Sequence, residues 1–156
     1  MYQDQIYAAT WTEADTTSTV SVYNQRDGNW VKVHSFKVVL KGWVTLSVRN
    51  EQIKCCSASD SQIAVYSLSG ELLQTHGERG RGNAGRLKYP YICTDDDDGS
   101  VLIADCQNNR LQVMSEQGEF SVLQLQPPVS QPRIAILFNN QLYMTSFWGQ
   151  TLLKYI

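Results

Sequence analysis

Four consecutive aspartates, at positions 95–98, are the residues of this sequence whose type first suggests chemistry. Carboxylate oxygens are the ligands that calcium and magnesium prefer. A calcium loop, however, spaces its ligands at alternate positions and adds a distal glutamate. This run is continuous and ends in Asp98-Gly99, a pair typical of tight hairpin turns. The sequence therefore predicts a solvated turn between two strands, with a cation site as the alternative.

Thiol and imidazole groups are the next candidates for chemistry. No two cysteines have the CxxC spacing of a zinc site, and Cys106 has no neighbouring histidine that would lower its pKa. We therefore predict four reduced thiols, an inert exposed Cys106, no metal or other cofactor, and a chain that is not an enzyme. The residues considered are Cys55, Cys56, Cys93, Cys106, His34 and His76.

Composition narrows the class of protein. The chain has 156 residues, of which 42% are hydrophobic and 18% charged, as in a folded domain with a sizeable core. The net charge of -2 gives no general attraction to nucleic acid or to an anionic membrane. No apolar run approaches a membrane span, and the N-terminus lacks the pattern of a signal peptide. We expect a cytoplasmic protein without membrane association.

The elements that must position these groups are short strands. Runs of β-branched and aromatic residues alternate with Gly, Asn, Asp and Ser, and helical periodicity is absent. Segments 22–34, 65–77 and 113–125 resemble one another, as do 97–114 and 139–156, which gives a period of about 40 to 48 residues. Period and strand count predict an all-β propeller of four-stranded antiparallel blades, in one domain over 1–156. The blades are predicted at 1–38, 42–77, 87–126 and 131–156.

One segment carries a family resemblance. Residues 85–120, with the Gly-rich lead before them, resemble an NHL repeat, the blade unit found at the C-terminus of tripartite-motif (TRIM) proteins. The matching positions are Gly82, Gly85, Pro90, Asp95, Gly99, Ala104, Asp105, Asn109 and Arg110. The resemblance is weaker in the fourth repeat, where SFWGQT replaces ADCQNNR, and weaker still in the first two. It implies a module that recognises RNA or a protein partner, as in TRIM-like ubiquitin ligases. A metal-dependent lyase among similar propellers is set aside, because this chain has only two histidines.

Within that repeat, Asp105, Asn109 and Arg110 bracket the loop between the second and third strands. Asp and Asn side chains satisfy backbone N–H groups in turns, and Arg110 can pair with the Asp105 carboxylate. A structural role for the three is therefore favoured.

The loops divide the charges between two faces of a propeller. The loops that join strands a to b and c to d carry most of the acidic residues. The opposite face, formed by the b–c and d–a loops, collects cations, above all in HGERGRGNAGRLKYP (76–90). Arg pairs with phosphates and exposed aromatic rings stack on unpaired bases, so this basic face is predicted to bind RNA or an acidic protein. The candidate ligand-binding residues are Arg79, Arg81, Arg86, Lys88, Arg110, Arg133, Phe147 and Trp148.

The length of the chain leaves closure of the propeller open. NHL propellers usually have about six blades, whereas this sequence supplies about three and a half, with strand a missing from the first and strand d from the last. The chain is a fragment of a larger propeller, a small propeller that closes alone, or a unit that closes by homo-oligomerisation. We favour a homo-oligomer, with a dimer as the simplest form. A self-associating scaffold is the alternative function.

Overall fold

The computed structural model describes residues 5–12, 16–139, 141–147 and 152–155. Almost every element in this part of the chain is a β-strand. The strands are β1 Gln5–Thr10, β2 Thr17–Arg26, β3 Asn29–Lys41, β4 Val44–Arg49, β5 Gln52–Ser57, β6 Gln62–Ser67, β7 Leu72–His76, β8 Glu78–Arg79, β9 Arg86–Leu87, β10 Pro90–Asp95, β11 Val101–Asp105, β12 Arg110–Met114, β13 Phe120–Leu123, β14 Pro132–Phe138, β15 Gln141–Ser146 and β16 Leu152–Tyr155. A single 3-10 turn, Cys106–Asn108, interrupts them. No helix in the described residues has the length and apolar character needed to cross a membrane.

The strands form four antiparallel sheets in chain order. The first sheet is β1-β2-β3, the second β4-β5-β6-β7, the third β10-β11-β12-β13 and the fourth β14-β15-β16. A short parallel pair, β8-β9, lies between the second and third sheets in sequence. The predicted all-β class of four-stranded antiparallel units is thereby confirmed.

The innermost strands of successive sheets pack against each other: β1 on β4, β4 on β10, and β10 on β14. Strand β3 leads into β4 through residues 42 and 43 alone, so it takes the place of strand d. The first sheet then has no strand a among the residues that the structure describes. The fourth sheet ends, within the described residues, at its third strand. This arrangement agrees with the about three and a half blades expected from the repeat.

Three apolar clusters fill the spaces between neighbouring sheets. Val20 and Leu40 pack with Ile53 and Tyr66 between the first and second sheets. Ile63 and Ile103 are among the residues between the second and third, and Leu111 and Met144 among those between the third and fourth. Each fully buried Ile or Leu stabilises the fold by about 1.5–3 kcal/mol, because water is excluded from its surface. Face-to-face packing of sheets is thus what orders the loops at both ends.

The acidic run forms the β10–β11 hairpin. The Asp96 N–H donates to the Ser100 carbonyl at 2.9 Å, and Gly99 has a positive φ of 80°. Asp95 accepts a hydrogen bond from the Ser47 hydroxyl at 2.8 Å, and Asp97 pairs with Arg49. These carboxylates therefore link the third sheet to the second. Among the described residues, no three His, Cys, Asp or Glu side chains converge as metal ligands would.

Candidate recognition site

The buried carboxylate of Asp105 organises the basic face. Asp105 is fully buried at the end of β11. Its Oδ1 accepts a hydrogen bond from the Lys88 N–H at 2.7 Å. Its Oδ2 accepts from the Asn108 Nδ2 at 2.8 Å, the Arg110 Nε at 2.9 Å and the Gln112 Nε2 at 2.8 Å. A buried charge is tolerated only when it is hydrogen-bonded and paired, and Asp105 meets both conditions.

Arg110 holds the loop at 80–86 in place. Besides pairing with Asp105, its guanidinium donates to the carbonyls of Gly82 at 2.5 Å, Asn83 at 3.0 Å and Arg86 at 2.7 Å. Its side chain is 16% exposed. Asn109 adopts the left-handed conformation, with φ 54°, and its Oδ1 accepts from the Gln131 N–H at 2.9 Å. These contacts give Arg110 and Asn109 structural roles, and a ligand contact by Arg110 has no support in them.

The other predicted cations of this loop surround the β8-β9 pair. Arg86 forms an ion pair with Glu78 at 2.8 Å, with both side chains largely exposed. Arg79 and Arg81 are exposed, and Lys88 is half-buried. Arg79 and Arg81 therefore present their charge to solvent, while Arg86 shares its charge with a carboxylate.

Arg133 lies apart from that loop, between two aromatic rings. It follows Pro132 at the start of β14, and its Cζ is 5.7 Å from the centre of the Tyr91 ring and 5.2 Å from that of Phe147. A guanidinium over an aromatic face is stabilised by the ring quadrupole, which fixes its position. The structure thus brings together two of the predicted site residues, Arg133 and Phe147. Trp148 lies outside the described residues.

A pocket of about 640 Å³ opens over Arg133. Among the described residues that line it, four are aromatic and two are glutamines. Backbone hydrogen bonds fix the surrounding loops: the Phe147 N–H donates to the Gln131 carbonyl at 2.7 Å, and the Gln107 N–H to that of Lys88 at 3.0 Å. Its lining includes Trp43, Tyr89, Tyr91, Gln107, Gln131, Arg133 and Phe147.

A second pocket, of about 720 Å³, adjoins the first at the inner edges of the sheets. Trp43, Tyr91 and Arg133 line both pockets, so they form the wall between them. Trp43 is 64% exposed although it is a large apolar side chain. An exposed aromatic beside a concave, mostly apolar site is typical of a binding surface.

Sequence reasoning did not select Trp43, Tyr89 or Tyr91. A signal was present, because Trp43 directly precedes β4, and Tyr89 and Tyr91 flank Pro90 at the start of β10. Every strand a begins at the basic face, so aromatic residues at those positions had to lie there.

Burial governs the titration of the cysteines and of the pocket tyrosine. It raises the pKa of Cys55 to about 12 and that of Cys93 to about 11. It also raises the pKa of Cys106, although the charge of Arg133 lowers it. Cys106 is buried, so the prediction of an exposed thiol is wrong; the residue contributes to the pocket lining. Burial likewise raises the pKa of Tyr91.

Comparison with known proteins supplies a fold and no family. No protein-family model matches the chain, and no curated protein matches it. Similar solved structures include a virginiamycin B lyase from Staphylococcus aureus, with a TM-score of 0.59 and 15% identity over 99% of this chain and 56% of the lyase. A candidate 6-phosphogluconolactonase from Bacteroides fragilis has a TM-score of 0.65 and 16% identity, over 97% of this chain and 50% of that one. BamB from Moraxella catarrhalis has a TM-score of 0.57 and 14% identity, over 94% of this chain and 41% of BamB. The chain thus spans about half the length of these proteins.

These neighbours correct one prediction. The chain was predicted not to be an enzyme. That prediction is wrong, because structures with the same fold include lyases. The NHL and TRIM assignment stays a prediction. At these identities the likeness establishes the architecture alone: the chain has a β-propeller fold.

Proposed function

We propose that this chain is a recognition module that binds a partner through its basic face. The observation that carries the proposal is the aromatic pocket around Arg133, which lies on the same face as the exposed cations Arg79 and Arg81. Gln107 lines both this pocket and a shallow polar depression beside Arg81, so the two regions are continuous.

An RNA or an acidic protein segment suits this surface. Arg side chains pair with phosphates and carboxylates, and exposed rings stack on unpaired bases. The NHL resemblance of 85–120 supports the same ligands. In that setting the chain supplies the partner-binding part of a TRIM-like ubiquitin ligase.

Titration with single-stranded and hairpin RNA at several salt concentrations tests the proposal. We expect affinity to fall steeply with salt, because each phosphate contact releases counterions. Replacing Arg79, Arg81 and Arg86 together by Ala should weaken binding at least about tenfold and reduce the salt slope. Arg26→Ala, at the opposite end of the sheets, is the matched control and should change affinity less than twofold. RNA binding that survives the triple substitution intact contradicts the RNA form; an acidic peptide titrated in parallel tests the protein form.

Self-association is a second candidate function, and one surface favours it. Register places Ile134, Ile136 and Phe138 on one face of β14, opposite the face of Ala135 that packs on the third sheet. These three side chains are 52%, 52% and 61% exposed. Exposed apolar stretches of this kind mark interaction surfaces, and a further sheet of a second copy would cover them.

Light scattering at micromolar concentration tests this second function. We expect a homo-oligomer, with a dimer as the simplest form, and we expect Ile136→Lys to dissociate it, since a charge cannot be buried unpaired. Leu73→Lys is the control, because Leu73 is 46% exposed on the outer strand β7, away from that face. A strict monomer of the unsubstituted chain contradicts the proposal.

A further inference from the structure

Two aromatic rings hold the guanidinium of Arg133 in place, and no carboxylate of the described residues pairs with it. It stands over the rings of Tyr91 and Phe147, and within the described part of the chain no carboxylate or carbonyl oxygen accepts its hydrogen bonds. Arg carries five N–H donors in a rigid fork, and the cation–π contacts use none of them. Its donors therefore remain available to a ligand in the pocket.

The lining specifies what that ligand must carry. Arg133 is the one cation among the pocket-lining residues that the structure describes. A single guanidinium matches the single charge of a carboxylate, whereas a phosphomonoester carries about -1.5 to -2 at pH 7. Gln107 and Gln131 also line the pocket, and a glutamine amide is a neutral hydrogen-bond donor.

The remaining lining residues are aromatic or small and apolar. Trp43, Tyr89 and Phe147 are 64%, 39% and 38% exposed, so each retains ring surface that a ligand can cover. Aromatic rings favour offset or edge contacts with another ring. A pocket of about 640 Å³ is within the range that small organic ligands occupy.

We propose that this pocket binds an aromatic carboxylate, with the carboxylate on Arg133 and the ring against Trp43. The group can be a free small molecule or the C-terminal residue of a peptide, since both present the same chemistry. The inference rests on the proposed recognition function, because it names the chemical group that the basic face recognises.

Calorimetric titration of the full chain with a matched set of probes tests the inference. N-acetyltryptophan should bind, and N-acetyltryptophan amide, which differs only in lacking the charge, should bind at least about tenfold more weakly. Uridine 5′-monophosphate should also bind at least about tenfold more weakly than the acid. Equal binding of acid and amide overturns the proposal, and so does tighter binding of the nucleotide, which would assign the pocket to RNA. A peptide ending in a free Trp carboxylate, compared with its amidated form, tests the peptide source. The proposal is supported if the small acid or this peptide binds more tightly than its own amide, and it is overturned if neither does.

Two substitutions locate the site. Arg133→Met keeps the length and apolar body of the side chain, and should weaken binding of the acid at least about tenfold. Arg26→Met is the control and should leave affinity within twofold. Thermal melting shows whether Arg133→Met is folded; if it is not, Trp43→Ala gives the second measurement, because Trp43 is mostly exposed and its loss leaves the core intact. Unchanged affinity in the folded variant overturns the proposal.

The two proposals fail separately. If the chain binds RNA or an acidic peptide but not the aromatic acid, the aromatic carboxylate proposal is refuted and the proposed recognition function stands. If the chain binds the aromatic acid but no RNA or peptide, the proposed recognition function is refuted and the pocket is a small-molecule site.

Discussion

Asp105→Asn is the most informative single substitution in this fold. The two residues have nearly the same shape, so the change removes the charge and turns one acceptor into a donor. Oδ2 of Asp105 accepts from three side chains, and Oδ1 accepts from the Lys88 N–H. Whichever way the Asn amide is turned, its NH2 group faces at least one donor. The Arg110 guanidinium also loses its only carboxylate partner within the described residues.

The expected loss follows from the burial of this pair. Asp105 is fully buried and the Arg110 side chain is 16% exposed. Breaking a buried ion pair on one side costs about 3–5 kcal/mol. Arg110 keeps its three carbonyl acceptors, so we expect the lower limit, about 3 kcal/mol. For a domain of this size that lowers Tm by roughly 6–12 °C.

Thermal and urea unfolding measure the change, and hydrogen exchange locates it. We expect the Asn oxygen to face the three side-chain donors, which leaves the NH2 group against the Lys88 N–H. The Lys88 amide should then exchange faster in the variant, and the loop at 80–86 should become protease-sensitive. Asp97→Asn is the control: the Asp97 side chain is 92% exposed, and its pair with Arg49 should contribute little, so Tm should fall by no more than about 2 °C. If Asp105→Asn lowered Tm no more than Asp97→Asn, the assignment of Asp105 as the organiser of the basic face would be refuted.

Two further predictions concern Lys54 and Gly118. Lys54 is 1% exposed, its Nζ has no hydrogen-bond partner in the described residues, and burial lowers its pKa from 10.5. Lys54→Met should therefore leave stability unchanged or raise it by about 1 kcal/mol at pH 7 in urea unfolding. Between the lowered pKa of the folded chain and about 10.5, Lys54 is protonated in the unfolded chain but not in the folded one. The free energy of unfolding of the original chain should therefore rise with pH through that window, while that of Lys54→Met should not. The same pH dependence of stability in both proteins would contradict this. A Cβ at Gly118 would overlap the His76 imidazole, so we expect Gly118→Ala to lower Tm. Gly28→Ala is the control, because its φ is also near 80° but nothing lies within 4 Å of the added Cβ, and it should lower Tm less. Equal decreases in Tm would contradict the clash and leave backbone strain as the cause.

Sequence reasoning predicted well where the structure depends on near neighbours. The Asp98-Gly99 hairpin follows from the positive φ that glycine adopts without steric cost, and the strand boundaries follow from alternation and turn residues. It predicted poorly where burial depends on remote residues. Cys106 looked exposed because its neighbours are polar, yet the 3-10 turn places its thiol inward.

The candidate site divides in the same way. The sequence placed Arg79, Arg81 and Arg86 on one loop because they are close in the chain. It did not distinguish their states: Arg86 pairs with Glu78, whereas Arg110 donates to three carbonyls of this loop. The acceptors that each guanidinium reaches depend on how the loop at 80–86 folds over β12. That fold cannot be predicted from residues adjacent in sequence.

By itself the sequence determined the class of fold, the repeat and the face on which the cations gather, because those depend on residue spacing and on turn conformation. Only the tertiary structure decided that Arg133 stands between Tyr91 and Phe147 and that Trp43 closes the wall beside it. These side chains come from segments far apart in the chain, and they meet only because apolar packing holds successive sheets in a fixed relation.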